Sequence, residues 1–178
     1  MTLPEEDAAP ARAVEWTQQE AEHFVASLAN EALKHRASQH PYLEELANGN
    51  LPDHRWALKD FATHYNGYSS HFPRYLTALI SRLDSPQHRR TLLDNLNEEL
   101  GHYDENDLDT LHRQGIDPEW ILGIPHPELF KRFGTALGLN ENTGGEEHIE
   151  VRCWRDLFLG VLSHGSAAEA VGALGLGV

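Results

Sequence analysis

This sequence is short of several things, and each shortage removes a class of protein. It has one cysteine, Cys153, among 178 residues, so an internal disulfide is excluded and the lone thiol fits a reducing compartment, the cytoplasm. It has 14 lysines and arginines against 28 aspartates and glutamates, a net charge of −14. Nucleic acids and anionic membranes recruit basic patches, so neither is expected as a partner. No apolar run approaches the roughly 20 residues that span a bilayer. The N-terminal stretch "MTLPEEDAAPARAVEW" lacks the apolar core of a signal peptide. No segment alternates apolar and polar side chains at the period of a strand, and no repeat or low-complexity block occurs. What remains is an all-α domain, long enough to bury a real core.

Histidine, by contrast, is abundant, with 12 in the chain. It is the commonest metal ligand and titrates near neutrality, but a histidine-rich solvated surface explains the count equally well.

Residues 1–14, with Pro4, Pro10 and no periodicity, are expected to be disordered. Thr17 and Glu20 have capping-box spacing and open a helix to about Arg36, with Phe24, Val25, Leu28 and Ala32 on one face. "HPYLEELANG" reads as a short helix stopped by Gly49. From Asp53 an amphipathic stretch continues to Leu83, with a kink expected at Pro73. Asp84 or Ser85 caps the next helix, Pro86 sits in its first turn, and the periodicity carries it to about Gln114. A loop with Gly123, Pro125 and Pro127 leads to a helix of Phe130, Phe133 and Leu137, ending at Gly138. "NENTGGEE" is a surface turn. The last helical stretch starts near Glu147, runs through Trp154, Leu157, Phe158 and Val161, and weakens at His164-Gly165.

On a helical wheel of the "NLNEELGHYDEND" segment, Leu92, Leu93, Leu96, Leu100 and Tyr103 share the face that must be buried. Glu98 points away from it and reads as solvated. Glu99 lies at its edge, in a polar stripe with Asn95 and His102. A carboxylate on a buried seam is costly unless it is paired or binds a cation. Glu99-x-x-His102 is also the spacing by which di-iron carboxylate bundles present a glutamate and a histidine from one helix. The spacing is not rare, since Glu20-x-x-His23 repeats it. Phe61, Tyr65, Tyr68, Phe72, Tyr75 and Leu79 form an aromatic stripe, with His64 and His71 beside it. Core packing accounts for such a stripe, and a cavity wall does too. Glu169, among alanines and glycines, is either a wet carboxylate at a frayed end or a third ligand.

The segments "HPYLEELANGNLPDHRWALKDFATHYNGYSSHFPRYLTALISRL", "LLDNLNEELGH" and "AAEAVGALGLG" resemble the iron-containing redox enzymes of the haem-oxygenase-like fold. That superfamily takes in TenA- and PqqC-type proteins and the non-haem di-iron oxidases and oxygenases, UndA-type decarboxylases among them. The resemblance extends from about residue 36 to the end. It implies a haem-oxygenase-like helical bundle, iron (two ions) and O2 as co-substrate. It also implies a small-molecule substrate such as a fatty acid, an amino acid or an amine. By the family pattern Glu99, His102 and Glu169 are the implied metal ligands, with His126 of "HPELFKRF" the alternative to His102. His64, Tyr68, His71 and Arg74 are the implied substrate-pocket residues, Arg74 as a carboxylate clamp or as a structural surface arginine. The family draws further ligands from a later helix. The chain ends at Val178 before such a helix starts, so the bundle reads as C-terminally incomplete, with His148 and His164 as candidate substitutes and a homodimer left open.

Two other classes compete. A TenA-like metal-free hydrolase needs a cysteine nucleophile, and Cys153 has no histidine in register to ionise it. A non-catalytic helical binding protein of the same shape remains the other reading.

Overall fold

The computed structural model describes residues 16–139 and 147–176. The expected disorder of residues 1–14 and the "NENTGGEE" turn, apart from its final residue, fall outside them. Among the described residues the chain is helical throughout, without strands. It divides into two compact units, residues 1–39 and 40–178.

The first unit contains α1 (Gln18–Lys34). Its start is the capping box read from the sequence. The Glu20 amide donates to Thr17 Oγ1 at 3.3 Å, and Glu20 Oε2 accepts from the Thr17 amide at 2.8 Å. No residue of α1 is buried, and Phe24 and Val25 are about half exposed.

The second unit contains α2 (Pro41–Asn48), α3 (His54–Ser69), α4 (Phe72–Ile80), α5 (Pro86–Glu99), α6 (Glu105–Arg113), a 3₁₀ turn (Pro118–Trp120), α7 (His126–Ala136), α8 (Ile149–His164) and α9 (Ala167–Leu176). Gly49 ends α2 in the left-handed conformation, φ 71°, as its position after the last periodic residue predicts. Ser85 caps α5 by accepting from the His88 amide.

Two expectations about helix continuity need correction. The stretch from Asp53 to Leu83 is two helices rather than one kinked helix. It breaks at Ser70-His71, and Pro73 lies in the first turn of α4, where its missing N–H costs nothing. The helix expected to reach Gln114 ends at Glu99, and α6 is a separate element with its own capping box, Asp104 with Asp107.

The core sits where α4, α8 and α9 meet. Tyr75, Leu79, Phe158, Leu162 and Ala170 are buried together, and Tyr68, Phe72, Leu83, Leu92 and Leu174 pack around them. Burying side chains of this size contributes about 1.5–3 kcal/mol each. The leucine face of α5 is only partly covered: Leu92 reaches the core, whereas Leu93 and Leu100 stay exposed. Two arginines tie helices through backbone carbonyls. Arg82 donates to the carbonyls of Ser163 and Gly165, satisfying the end of α8. Arg155 donates to the Gly67 carbonyl at 3.0 Å and to Glu147 at 2.7 Å, fixing the start of α8 to α3.

Candidate functional site

The site begins with the way α5 stops. Leu100 is the C-cap and Gly101 follows with φ 86°, a conformation that glycine adopts without steric penalty. The Gly101 amide donates to the Glu98 carbonyl and the His102 amide to the Asn97 carbonyl, each at 2.9 Å, which is the Schellman arrangement. The turn leaves room for another segment. The Gly123 amide donates to the Gly101 carbonyl at 2.8 Å. A Cβ on Gly101 would stand 2.5 Å from the Ile124 amide nitrogen. The backbone just ahead of α7 is thus packed against the end of α5, and His126, the first residue of α7, arrives beside Glu99, the last residue of α5.

His126 Nδ1 lies 3.0 Å from Glu99 Oε1, and its Nε2 is 2.7 Å from the Tyr103 hydroxyl. The glutamate side chain is 14% exposed and the histidine 41%. The hydrogen bond that His126 donates to Glu99, opposed by burial, holds the His126 pKa above its ordinary value. The pair opens on a cleft of about 480 Å³ walled by Tyr65, Tyr68, Phe72, Leu129, Phe130 and Phe133. The aromatic stripe therefore divides its work: Tyr75 and Leu79 form core, while Tyr65, Tyr68 and Phe72 wall the cleft. Burial pushes the Tyr68 phenol up, with Tyr65, Tyr75 and Glu99 adding to the shift, so it stays protonated. The Tyr68 and Ser69 hydroxyl oxygens are buried and have no hydrogen-bond partner among the described residues.

The other residues singled out in the sequence are placed as follows. His102 is exposed beyond the helix end, so the one-turn geometry assumed for Glu99-x-x-His102 does not exist. His126, the alternative, meets Glu99 instead. Glu98 is half buried rather than plainly solvated. Burial, then the nearby Asp107 charge, holds its carboxyl above the usual range, with His126 pulling the other way. Glu169 is exposed, accepts from the Ser166 amide at 2.7 Å, and has its own amide bonded to Ser166 Oγ. The Ser166 amide first, and then the Ser166 hydroxyl, hold the Glu169 carboxyl low. It caps the start of α9 and is not among the residues lining the cleft.

Of the four implied pocket residues only Tyr68 lines the cleft. His64 lies 3.5 Å from Asp60 and packs on the His148 ring, centroids 3.9 Å apart. His71 precedes α4 and is 3.3 Å from Arg74, which is exposed. His164 is exposed at the end of α8. Glu20 is engaged in its capping box. Cys153 is exposed.

A carboxylate oxygen and an imidazole nitrogen bound to one first-row metal ion, each about 2.1 Å from it at right angles, are about 3 Å apart. Glu99 and His126 fit two such positions. Tyr103 fits the outer partner that a metal-bound imidazole needs at its other nitrogen. Among the described residues no group of three or more His, Cys, Asp or Glu side chains converges as a complete cage.

Among the described residues the chain is a strand-free helical bundle with a carboxylate–imidazole pair at the mouth of an aromatic cleft. The family described as iron-containing redox enzymes matches residues 59–176, more than half of the chain, and the chain belongs to that family. It is 29% identical over 102 residues to a 4-aminobenzoate synthase of Chlamydia muridarum (strain MoPn / Nigg). That stretch is 57% of this chain and 34% of the relative, so the chain spans about a third of the protein it matches. No solved structure matches. None of the helices among the described residues is long and apolar enough to cross a membrane.

Proposed function

We propose that this protein is a non-haem iron, O2-dependent oxidase or oxygenase acting on a small metabolite, with Glu99 and His126 among its iron ligands. The observation that carries the reading is the 3.0 Å approach of Glu99 Oε1 to His126 Nδ1, from the ends of two different helices, at the edge of an apolar cleft. Family membership supports iron. The relative's name, 4-aminobenzoate synthase, points to small aromatic chemistry.

Iron held there would supply the one-electron steps that O2 reduction and substrate oxidation require. The protein's own contributions follow from the geometry. Glu99 offers an anionic oxygen and lowers the net charge of a bound cation. His126 offers Nδ1 in its neutral form once the proton sits on Nε2, where the Tyr103 oxygen can accept it. Tyr103 thereby fixes both the tautomer and the ring plane. The aromatic walls keep water from the reacting centre and give an apolar substrate a surface to lie on.

Two irons in a bundle of this kind draw on roughly six protein ligands. Glu99 and His126 are one carboxylate and one imidazole of such a set, so iron held by them alone exchanges easily with chelators. Anaerobic Fe(II) binding followed by oxygen-consumption measurements tests the proposal. Weak, substoichiometric binding that depends on both residues, with O2 uptake only in the iron-loaded protein, is the expected result. Binding that ignores both substitutions would overturn it.

A further inference from the structure

Helix α8 is apolar on two sides. Its inner face buries Phe158 and Leu162. Its outer face carries Ile149, Cys153, Leu157, Gly160 and His164, about one turn apart in a single stripe. Ile149 is 61% exposed, and Leu157, at 69%, is the most exposed large apolar side chain among the described residues. Cys153 is exposed between them. A Cβ on Gly160 would meet nothing within 4 Å, so another backbone can approach closely there. Apolar side chains scattered singly over a surface need no partner, but a stripe of them marks an interaction surface.

The charges beside the stripe say what fits it. Arg152 and Asp156, one turn apart, are exposed along the same border. Among the described residues neither makes an ion pair within the chain. A two-fold axis crossing the helix midway between them, near Trp154, generates an antiparallel second copy of α8. The partner's Asp156 then faces Arg152, and the partner's Arg152 faces Asp156. A charge pattern that is its own complement under a two-fold rotation suits an isologous dimer. A partner charged with one sign only would match one of the two residues and repel the other. The net charge of −14 opposes self-association at low salt, and physiological ionic strength screens that repulsion.

We propose that the outer face of α8 is a homodimer interface, in which two antiparallel copies of the helix pack about a two-fold axis near residue 154. The interface goes beyond the functional reading above, since α8 contributes no residue to the lining of the Glu99 cleft. Its apolar centre is Ile149, Cys153 and Leu157, and Gly160 lets the partner's backbone close in. Helices packed about 9 Å apart, with Cα atoms on cylinders of radius about 2.3 Å, bring facing Cα atoms to about 5 Å. Cys153, one residue from the axis, then lies within disulfide range of the partner's Cys153.

The test follows the monomer–dimer equilibrium of the full chain by light scattering at physiological salt. All the substituted residues are exposed, and each variant is checked for native circular dichroism. Leu157→Asp should leave only monomer. Arg152→Asp and Asp156→Arg each set like charges opposite one another and should weaken the dimer about tenfold or more. An equimolar mixture of those two variants restores opposite charges at both contacts. It should dimerise within about threefold of the unaltered chain. Diamide, which takes two electrons and two protons from a facing pair of thiols, should join the unaltered chain through Cys153 and leave Leu157→Asp unjoined. A chain that stays monomeric up to about 1 mM overturns the inference. So does a dimer that Leu157→Asp and both charge reversals leave unchanged. A mixture that dimerises no better than either charge variant alone overturns it as well.

Discussion

Gly101→Ala probes the step that assembles the site. Gly101 has φ 86°, and so does Gly115 after α6. An alanine in the left-handed region costs about 1–2 kcal/mol at either position. The two sites differ in space. A Cβ at Gly115 meets nothing within 4 Å, whereas at Gly101 it meets three Ile124 backbone atoms at 2.5 to 2.7 Å. Backbone cannot rotate aside as a side chain can. The segment ahead of α7 must move, straining the Gly123-to-Gly101 hydrogen bond of 2.8 Å, and forced overpacking adds about 1–3 kcal/mol. Urea unfolding of the two variants at constant m value should place Gly101→Ala about 1–3 kcal/mol below Gly115→Ala. Because the displaced segment carries His126, Gly101→Ala should also lose iron affinity that Gly115→Ala keeps. Equal stability within about 0.5 kcal/mol and equal iron affinity would refute the claim that close backbone contact at Gly101 delivers His126 to Glu99.

Other expectations follow from single contacts. Tyr103→Phe removes the partner of His126 Nε2 and should reduce iron affinity about tenfold or more, measurable by chelator competition, with the fold unchanged by circular dichroism. Glu98→Gln should leave iron binding nearly intact and Glu99→Gln should not; equal losses would contradict the placement of the carboxylates. His71 is held below its ordinary pKa of 6.5 by burial, then by the Arg155 and Arg74 charges. In that state the unfolded chain takes up a proton more readily than the folded one. The resulting stability is present above pH 6.5 and is lost as pH falls below it. His71→Gln should flatten the loss of stability between about pH 7 and pH 5, read from thermal unfolding. Cys153→Ala, at an exposed thiol, should leave turnover unchanged, and its complete loss in a folded variant would revive a cysteine-nucleophile hydrolase.

The helices were legible because the sequence states their ends locally. Thr17 with Glu20, Ser85 ahead of Pro86, and Gly49 after a periodic run each encode a cap in neighbouring residues. Glu99 was legible too, as a carboxylate where the leucine face of α5 meets its polar side. A wheel continued through Gly101 pairs it with His102, whereas α5 ends at Glu99. The signal for stopping was present, a glycine directly after "NLNEEL", followed by Asp104 at capping distance from Asp107. The apolar periodicity nevertheless persists through His102 and Tyr103 and masks it. The pairing of Glu99 with His126 joins residues 27 positions apart through a backbone contact, and no local pattern reports that. Glu169 was noticed for its small neighbours, yet Ser166 three residues earlier is capping-box spacing, and the carboxylate follows that local chemistry. Arg74 sits in a strong motif, but which face of α4 is buried depends on α8 and α9, where Tyr75 and Leu79 rather than Arg74 turn inward.

The most direct test of the account is an anaerobic Fe(II) titration of three proteins side by side: the unaltered chain, His126→Ala and His102→Ala. The account predicts that His102→Ala binds iron as the unaltered chain does and that His126→Ala binds at least tenfold more weakly. Loss of iron on removing His102, with His126→Ala unaffected, would contradict it.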